Sequence, residues 1–159
     1  MTPFMLRVAE LVDGGQAFRW QRLADGAWLG VWADHVVRLR LNSTGVLEWS
    51  APVAKAAPTG AALMAYLFGH DTEAALDALP WRSDAHLARC LAAFPGLTIL
   101  RQPFGETLLG FLCSATKQIV QIKQMIALLA ERHGAPVSAG FNRLPRWDEL
   151  AACSEAELR

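Results

Sequence analysis

Cysteine is scarce in this chain, and what there is does not pair up. Cys90, Cys113 and Cys153 are far apart and odd in number. No Cys-x-x-Cys occurs, so the sequence carries neither a disulfide framework nor a zinc site. His35, His70, His86 and His133 lack ligand spacing as well, and no metal or other cofactor is expected. Excess charge is missing too: fifteen acids and fifteen bases leave a formal net charge of zero. Whole-chain electrostatics therefore lends nucleic-acid binding no support, and any such function must rest on local features. No apolar run approaches the roughly 20 residues that cross a bilayer. The opening "MTPFMLRVAEL" has no long apolar core behind a basic start, so it does not read as a signal peptide. Internal repeats and low-complexity segments are absent. A reduced, soluble protein of the cytoplasm is the expectation, with no membrane partner.

What is present is a large apolar fraction. Hydrophobic residues make up 53% of 159, six of them tryptophan, so a real core is expected in one ordinary domain or two small packed halves. The first fifty residues read as short strands between turns. "QAFRWQR" is followed by "ADGA", then "WLGVW". In "VVRLRLN" Val37, Leu39 and Leu41 share one face, while Arg38 and Arg40 share the other. "STG" then leads into "VLEWS". This alternation predicts an antiparallel sheet with one buried face.

Beyond the loop "APVAKAAPTG" the period becomes helical. "ALMAYLF" is stopped by Gly69. "TEAALDAL" has Thr72 as N-cap, and Ser83 caps "DAHLARCLAAF", which ends at Pro95-Gly96. "LTILRQ" reads as extended, and Pro103 leads into "FGETLLGFLCSA". In "QIVQIKQMIALLAERHG" Ile119, Ile122, Ile126 and Leu129 form one stripe with Met125 alongside. Arg132 and His133 complement that helix's carboxyl end, and Gly134 stops it. "LPRWDELAAC" opens a further helix. The expected fold class is α+β, divided near Trp81 into residues 1–81 and 82–159.

"SEAE", Ser154 to Glu157, has the form of a capping box. It announces a helix, yet only two residues follow, and one turn cannot offset its nucleation cost. Either the terminus frays, or a longer protein has been cut here.

Taken in order, "GGQAFRW", "WLGV", "AYLFGHDTEAALDALPWRSDAHLARCLAAFPGLTILRQ", "PFGETLLGFLCSATKQIVQIKQM" and "LPRWDELAACSEAELR" resemble the 8-oxoguanine DNA glycosylase/AP lyase family of the helix-hairpin-helix superfamily. "GQAFRW" is similar to that family's Gly-Gln-Ser-Phe-Arg-Trp element, and nearly the whole chain is covered. The resemblance implies an N-terminal antiparallel sheet with short helices, followed by the first helices of an incomplete helix-hairpin-helix glycosylase domain. It implies base-excision repair: a damaged purine is flipped from the duplex and its glycosidic bond cut. A hairpin lysine, assisted by an aspartate, forms a Schiff base with the sugar. The implied partner is double-stranded DNA containing an oxidised purine, bound by a monomer, nucleoid-associated if bacterial and nuclear if eukaryotic.

Neither catalytic motif occurs. The three lysines are Lys55, Lys117 and Lys123, and none follows a Gly-x-Gly hairpin. No catalytic residue is therefore assigned. The Schiff-base lysine and its aspartate are expected beyond Arg159, and the chain as given is expected to be inactive alone.

Gly15 matches the family glycine whose main-chain carbonyl reads the damaged base. Oxidised guanine carries hydrogen at N7, where guanine has a lone pair. A fixed carbonyl attracts the first and repels the second, a difference worth about 1–3 kcal/mol in a desolvated site. A Cβ would hold the flat base away. The competing reading is that Asp13-Gly14-Gly15 is only a hairpin turn; both can hold, with Gly14 serving the turn. Phe18 and Trp20 read as core, and Arg19 braces the strand or contacts the helical half. In "CSATKQIVQ" the resemblance places contacts to the unpaired opposite base at Thr116, Lys117 and Gln118, with Gln121 at an arginine position. These depart from the family's Asn-rich run, which puts strict cytosine preference in doubt. Lys117 at a helix start also suits phosphate. The alternative there is a solvated helix start with Thr116 as cap. For the whole chain, a glycosylase for alkylated bases of the 3-methyladenine type and a non-catalytic DNA- or protein-binding module stay open.

Overall fold

The computed structural model describes residues 8–69, 72–95, 97–138 and 140–158. Chain order is α1 (Val8–Asp13), β1 (Trp20–Arg22), β2 (Trp28–Trp32), β3 (His35–Leu41), β4 (Leu47–Ser50), a 3₁₀ turn (Ala54–Ala56) and α2 (Gly60–Phe68). Then come α3 (Thr72–Ala78), α4 (Ala85–Ala93), α5 (Phe104–Cys113), α6 (Ile119–His133), β5 (Pro136–Ser138), β6 (Phe141–Asn142) and α7 (Trp147–Ala151).

β1 to β4 form an antiparallel meander in sequence order. Its turns use the residues expected of them. Asp25 accepts the Ala27 N–H through its side chain before β2, and Asn42 accepts those of Thr44 and Val46 between β3 and β4. Trp20, Trp28, Trp32, Val37 and Leu39 pack with Leu11, Val12, Leu63, Tyr66 and Leu67 from the flanking helices into the first core. Within it Trp32 stacks on Tyr66 at 4.4 Å between ring centroids, and the Trp20 indole donates to the Tyr66 hydroxyl at 3.1 Å. The second core joins Leu109 of α5, Ile122, Ile126 and Ala130 of α6, and Leu144.

Several sequence expectations change. The sheet does not bury a single face: Val31, Val36 and Ala56 form a third cluster on the other side, covered by Val137 and Phe141 of the β5–β6 hairpin. That hairpin went unforeseen, as did α1. Gln16–Arg19 is irregular, mostly bend, rather than strand: the Gln16 side chain bonds to residues 98 and 100, and β2 reaches the segment only where the Val31 N–H donates to the Arg19 carbonyl at 3.2 Å. Gly14-Gly15 follows a helix, so it is not a hairpin turn. The left-handed conformation falls on Gly15, at φ +93°. Gly14 is required for a separate reason, since a Cβ there would lie 2.3 Å from the Glu10 carbonyl oxygen. Asp84, not Ser83, caps α4 by accepting the His86 and Leu87 N–H groups, while Ser83 donates to the Pro80 carbonyl. The Thr72 cap and the Gly96 stop lie outside the described residues or side chains. On the α6 stripe, Ile122 and Ile126 are buried, but Ile119 and Met125 are largely exposed. The "SEAE" box does form: the Glu157 carboxylate accepts from the Ser154 N–H at 2.8 Å and from its hydroxyl at 2.7 Å.

Candidate functional site: a glycine loop against the start of α6

Three long-range ties hold the loop 14–19. At its entry, Asp13 at the end of α1 is ion-paired with Lys123 of α6. At its centre, the Gln16 side-chain amide donates to the Thr98 carbonyl at 3.0 Å and accepts the Leu100 N–H at 2.9 Å. At its exit, the Arg19 guanidinium donates to the Asn142 carbonyl in β6 at 2.5 Å. Arg19 thus reaches the helical half, as one of its two sequence readings had it.

Gly15 sits between the first two ties. A Cβ built on it would meet one heavy atom within 4 Å, Cδ1 of Ile119 at 3.8 Å. Among the described residues nothing else comes within 4 Å of that Cβ, and Gly15 is exposed. Ile119 is the first residue of α6, so the fold brings Gly15 beside the segment 116–121 that the sequence had singled out separately.

That segment is a turn and a helix start. Ser114 ends α5, and the Lys117 N–H donates to its carbonyl at 3.2 Å. Thr116 does not cap α6: it takes a left-handed conformation, φ +60°, unusual for a residue with a Cβ. The helix begins after Gln118, whose N–H donates to the Gln121 side-chain oxygen at 3.0 Å. Gln121 therefore spends its carbonyl oxygen on the helix end, while no described hydrogen bond uses its amide N–H groups. Thr116, Lys117, Gln118 and Gln121 are all exposed. Together they form a polar rim whose inner edge is Ile119 against Gly15.

Behind the loop lies a half-buried carboxyl group that sequence reasoning did not identify. Glu106, in the first turn of α5, accepts the Ala33 N–H at 2.7 Å from the β2–β3 turn. Burial raises its pKa above the ordinary glutamate value, opposed by the Ala33 hydrogen bond and by the nearby Arg19 charge. Burial likewise lowers the pKa of Arg19, with Glu106 acting against it. One terminal nitrogen of Arg19, Nη1, is buried without a hydrogen-bond partner among the described residues. The pair braces sheet, α5 and hairpin from inside. The sequence held a faint signal for it, a glutamate two residues into a helix that is otherwise apolar.

Two openings lie nearby. One cavity, of about 20 Å³ between Arg19 and Glu106, holds a water at most. A cleft of about 770 Å³ runs along β1 and α6 past Arg22, Lys123 and Glu131. Gly15 lines neither, and faces open surface instead. Among the described residues no group of three His, Cys, Asp or Glu is placed to hold a metal ion, and no helix is long and apolar enough to cross a membrane.

Known proteins share this fold. Residues 3–108 match the family model of the 8-oxoguanine DNA glycosylase N-terminal domain. The N-glycosylase/DNA lyase OGG1 of Arabidopsis thaliana is 27% identical over 150 residues, covering 91% of this chain and 41% of that protein. The structure of MBOgg1 in complex with a low-affinity DNA ligand is 28% identical with a TM-score of 0.78, covering 94% of this chain and 51% of that one. The fold is also that of the Clostridium acetobutylicum 8-oxoguanine glycosylase/lyase in complex with double-stranded DNA containing cytosine opposite 8-oxoguanine. There the TM-score is 0.80 at 23% identity, over 96% of this chain and 52% of that one. The chain thus spans about half the length of these solved relatives. These matches do not favour the alkylated-base or the non-catalytic alternative. By the match over residues 3–108, the chain belongs to the 8-oxoguanine DNA glycosylase family, of whose N-terminal domain it carries the pattern.

Proposed function

We propose that this chain is the damage-reading part of an 8-oxoguanine DNA glycosylase/AP lyase acting in base-excision repair, and that its ligand is duplex DNA with an oxidised purine extruded against Gly15. The observation that carries the reading is Gly15 itself. It is left-handed, exposed among the described residues, and set beside the start of α6. A flat ring can approach its peptide plane closely, and a carbonyl held there favours an N7–H over an N7 lone pair.

In this reading the rim 116–121 faces the opposite strand. Gln118 and Gln121 offer neutral donors and acceptors to the base left unpaired, and Lys117 meets a phosphate at the α6 N-terminus. Lacking the family's arginine, the rim tolerates bases other than cytosine there. Residues 1–81 form the sheet domain and 82–159 the start of the helical domain. The covalent steps are assigned to none of the three lysines: Lys55 and Lys117 are exposed, and Lys123 is held by Asp13.

The test is binding of this chain to two duplexes that differ only in 8-oxoguanine against guanine, read by fluorescence anisotropy across salt concentrations. The reading expects tighter binding of the oxidised duplex, a preference that survives rising salt while both affinities fall. Equal affinity for the two duplexes would overturn it. A wild-type preference lost in Gly15→Val would place the discrimination at this glycine.

A further inference from the structure

Gln16 imitates a strand where the fold supplies none. Its side-chain amide bonds to the Thr98 carbonyl and the Leu100 N–H, two residues apart, as the N–H and C=O of one residue in a neighbouring parallel strand would. The segment it grips, 97–102, belongs to no helix or sheet. Its other side is tied to α2: the Thr98 hydroxyl donates to the Leu67 carbonyl at 2.9 Å, and the Arg101 N–H donates to the Tyr66 carbonyl at 2.8 Å. The grip is therefore on something rigid.

The same residue is held through its main chain. Gln102 donates its side-chain N–H to the Gln16 carbonyl at 2.5 Å. Side chain and carbonyl together fix the Gln16 Cα and the peptide that follows it. The preceding peptide, which carries the Gly15 carbonyl, then turns only about the Gly15 and Gln16 backbone bonds. The described hydrogen bonds occupy the Gln16 carbonyl and leave the Gly15 carbonyl unused. One oxygen is tethered so that its neighbour can be presented.

We infer that Gln16 is a positioning residue for damage discrimination, aiming the Gly15 carbonyl through the bonds of its side-chain amide to residues 98 and 100. This rests on the base-reading role proposed for Gly15, and adds that the aim depends on a polar side chain rather than on the glycine alone. Gln16→Met keeps the length and apolar stem but makes neither bond. Gln16→Glu still accepts the Leu100 N–H, and it donates to the Thr98 carbonyl only when protonated.

Expected in the paired-duplex assay is a loss of about tenfold in preference for the oxidised duplex in Gln16→Met, the worth of one well-made hydrogen bond. Gln16→Glu loses the preference at pH 8 and regains part of it at pH 5, a recovery that Gln16→Met does not show. In the DNA-free protein, backbone NMR of Gln16→Met shows faster amide exchange at Leu100 and a lower order parameter at Gly15. If the wild type discriminates and Gln16→Met discriminates equally, the inference about Gln16 falls while the role of Gly15 stands. If the wild type does not discriminate, the role of Gly15 falls, and an unchanged Gly15 order parameter in Gln16→Met would then overturn the positioning as well.

Discussion

The indole of Trp20 lies directly over Gly30, its partner across the β1–β2 pairing. A Cβ at Gly30 would come within 2.4 Å of the six-membered ring. Neither the ring nor the strand can give way, because Trp20 is also held by Trp32 and Tyr66. Gly30→Ala is expected to cost at least about 2 kcal/mol by overpacking. Urea unfolding measures the loss, and near-ultraviolet circular dichroism should show the tryptophan cluster disturbed.

A second consequence of that cluster concerns one hydrogen atom. Tyr66→Phe keeps the ring stack with Trp32 and removes the acceptor of the buried Trp20 N–H. An indole N–H stranded in the core costs about 1–3 kcal/mol. The expected result is that loss in unfolding free energy with the aromatic dichroism signal largely preserved. A neutral substitution would show that water replaces the hydroxyl.

Glu106 makes stability depend on pH with a definite sign. Its folded-state pKa lies above the unfolded value because burial disfavours the carboxylate. Its contribution is therefore fully present below the ordinary glutamate pKa of about 4.3 and is lost as pH rises through the raised folded value. Gln at this position still accepts the Ala33 N–H and does not titrate. Thermal melts of the wild type and Glu106→Gln should therefore diverge with pH, the wild type losing ground as pH climbs from 4 to 8. A constant difference over that range would contradict the burial argument.

Gly15→Ala separates conformation from contact. The methyl has room, with Ile119 Cδ1 at 3.8 Å, but φ +93° is a poor conformation for a residue with a Cβ, costing about 1–2 kcal/mol. The variant should fold with that reduced stability by urea titration. It then serves as a folded protein in which the approach of a flat ring is obstructed.

The parts of this fold that were legible in sequence owe their shape to neighbours along the chain. β3 and β4 alternate, α5 and α6 carry apolar stripes, and Asp25-Gly26 and Asn42 to Gly45 are turn chemistry within a few residues. What the sequence hid depends on distant partners. Gln16 to Arg19 alternate like a strand, yet the Gln16 amide is satisfied by residues more than eighty positions away. Ser83 and Asp84 are both good caps, and only the geometry after Pro80 chooses the second. Thr116 looked like a cap because its residue type suits one, but the helix starts two residues later. The β5–β6 hairpin is too short to show a period, and its sole cue was Gly140 before Phe141 and Asn142. The nearness of Gly15 to segment 116–121 goes with the ion pair between Asp13 at the end of α1 and Lys123 of α6, which no local pattern records.

The three ties of the glycine loop span 110, 84 and 123 residues. A ribosome makes Asp13 to Arg19 almost at once, but the last anchor, Asn142, emerges more than a hundred residues later. At roughly 5–20 residues per second the wait is on the order of ten seconds. Until then Arg19 carries a charge whose burial has not begun, and the stretch is chain with nothing to lean on. Residues 13 to 19 thus take their final shape long after they are made.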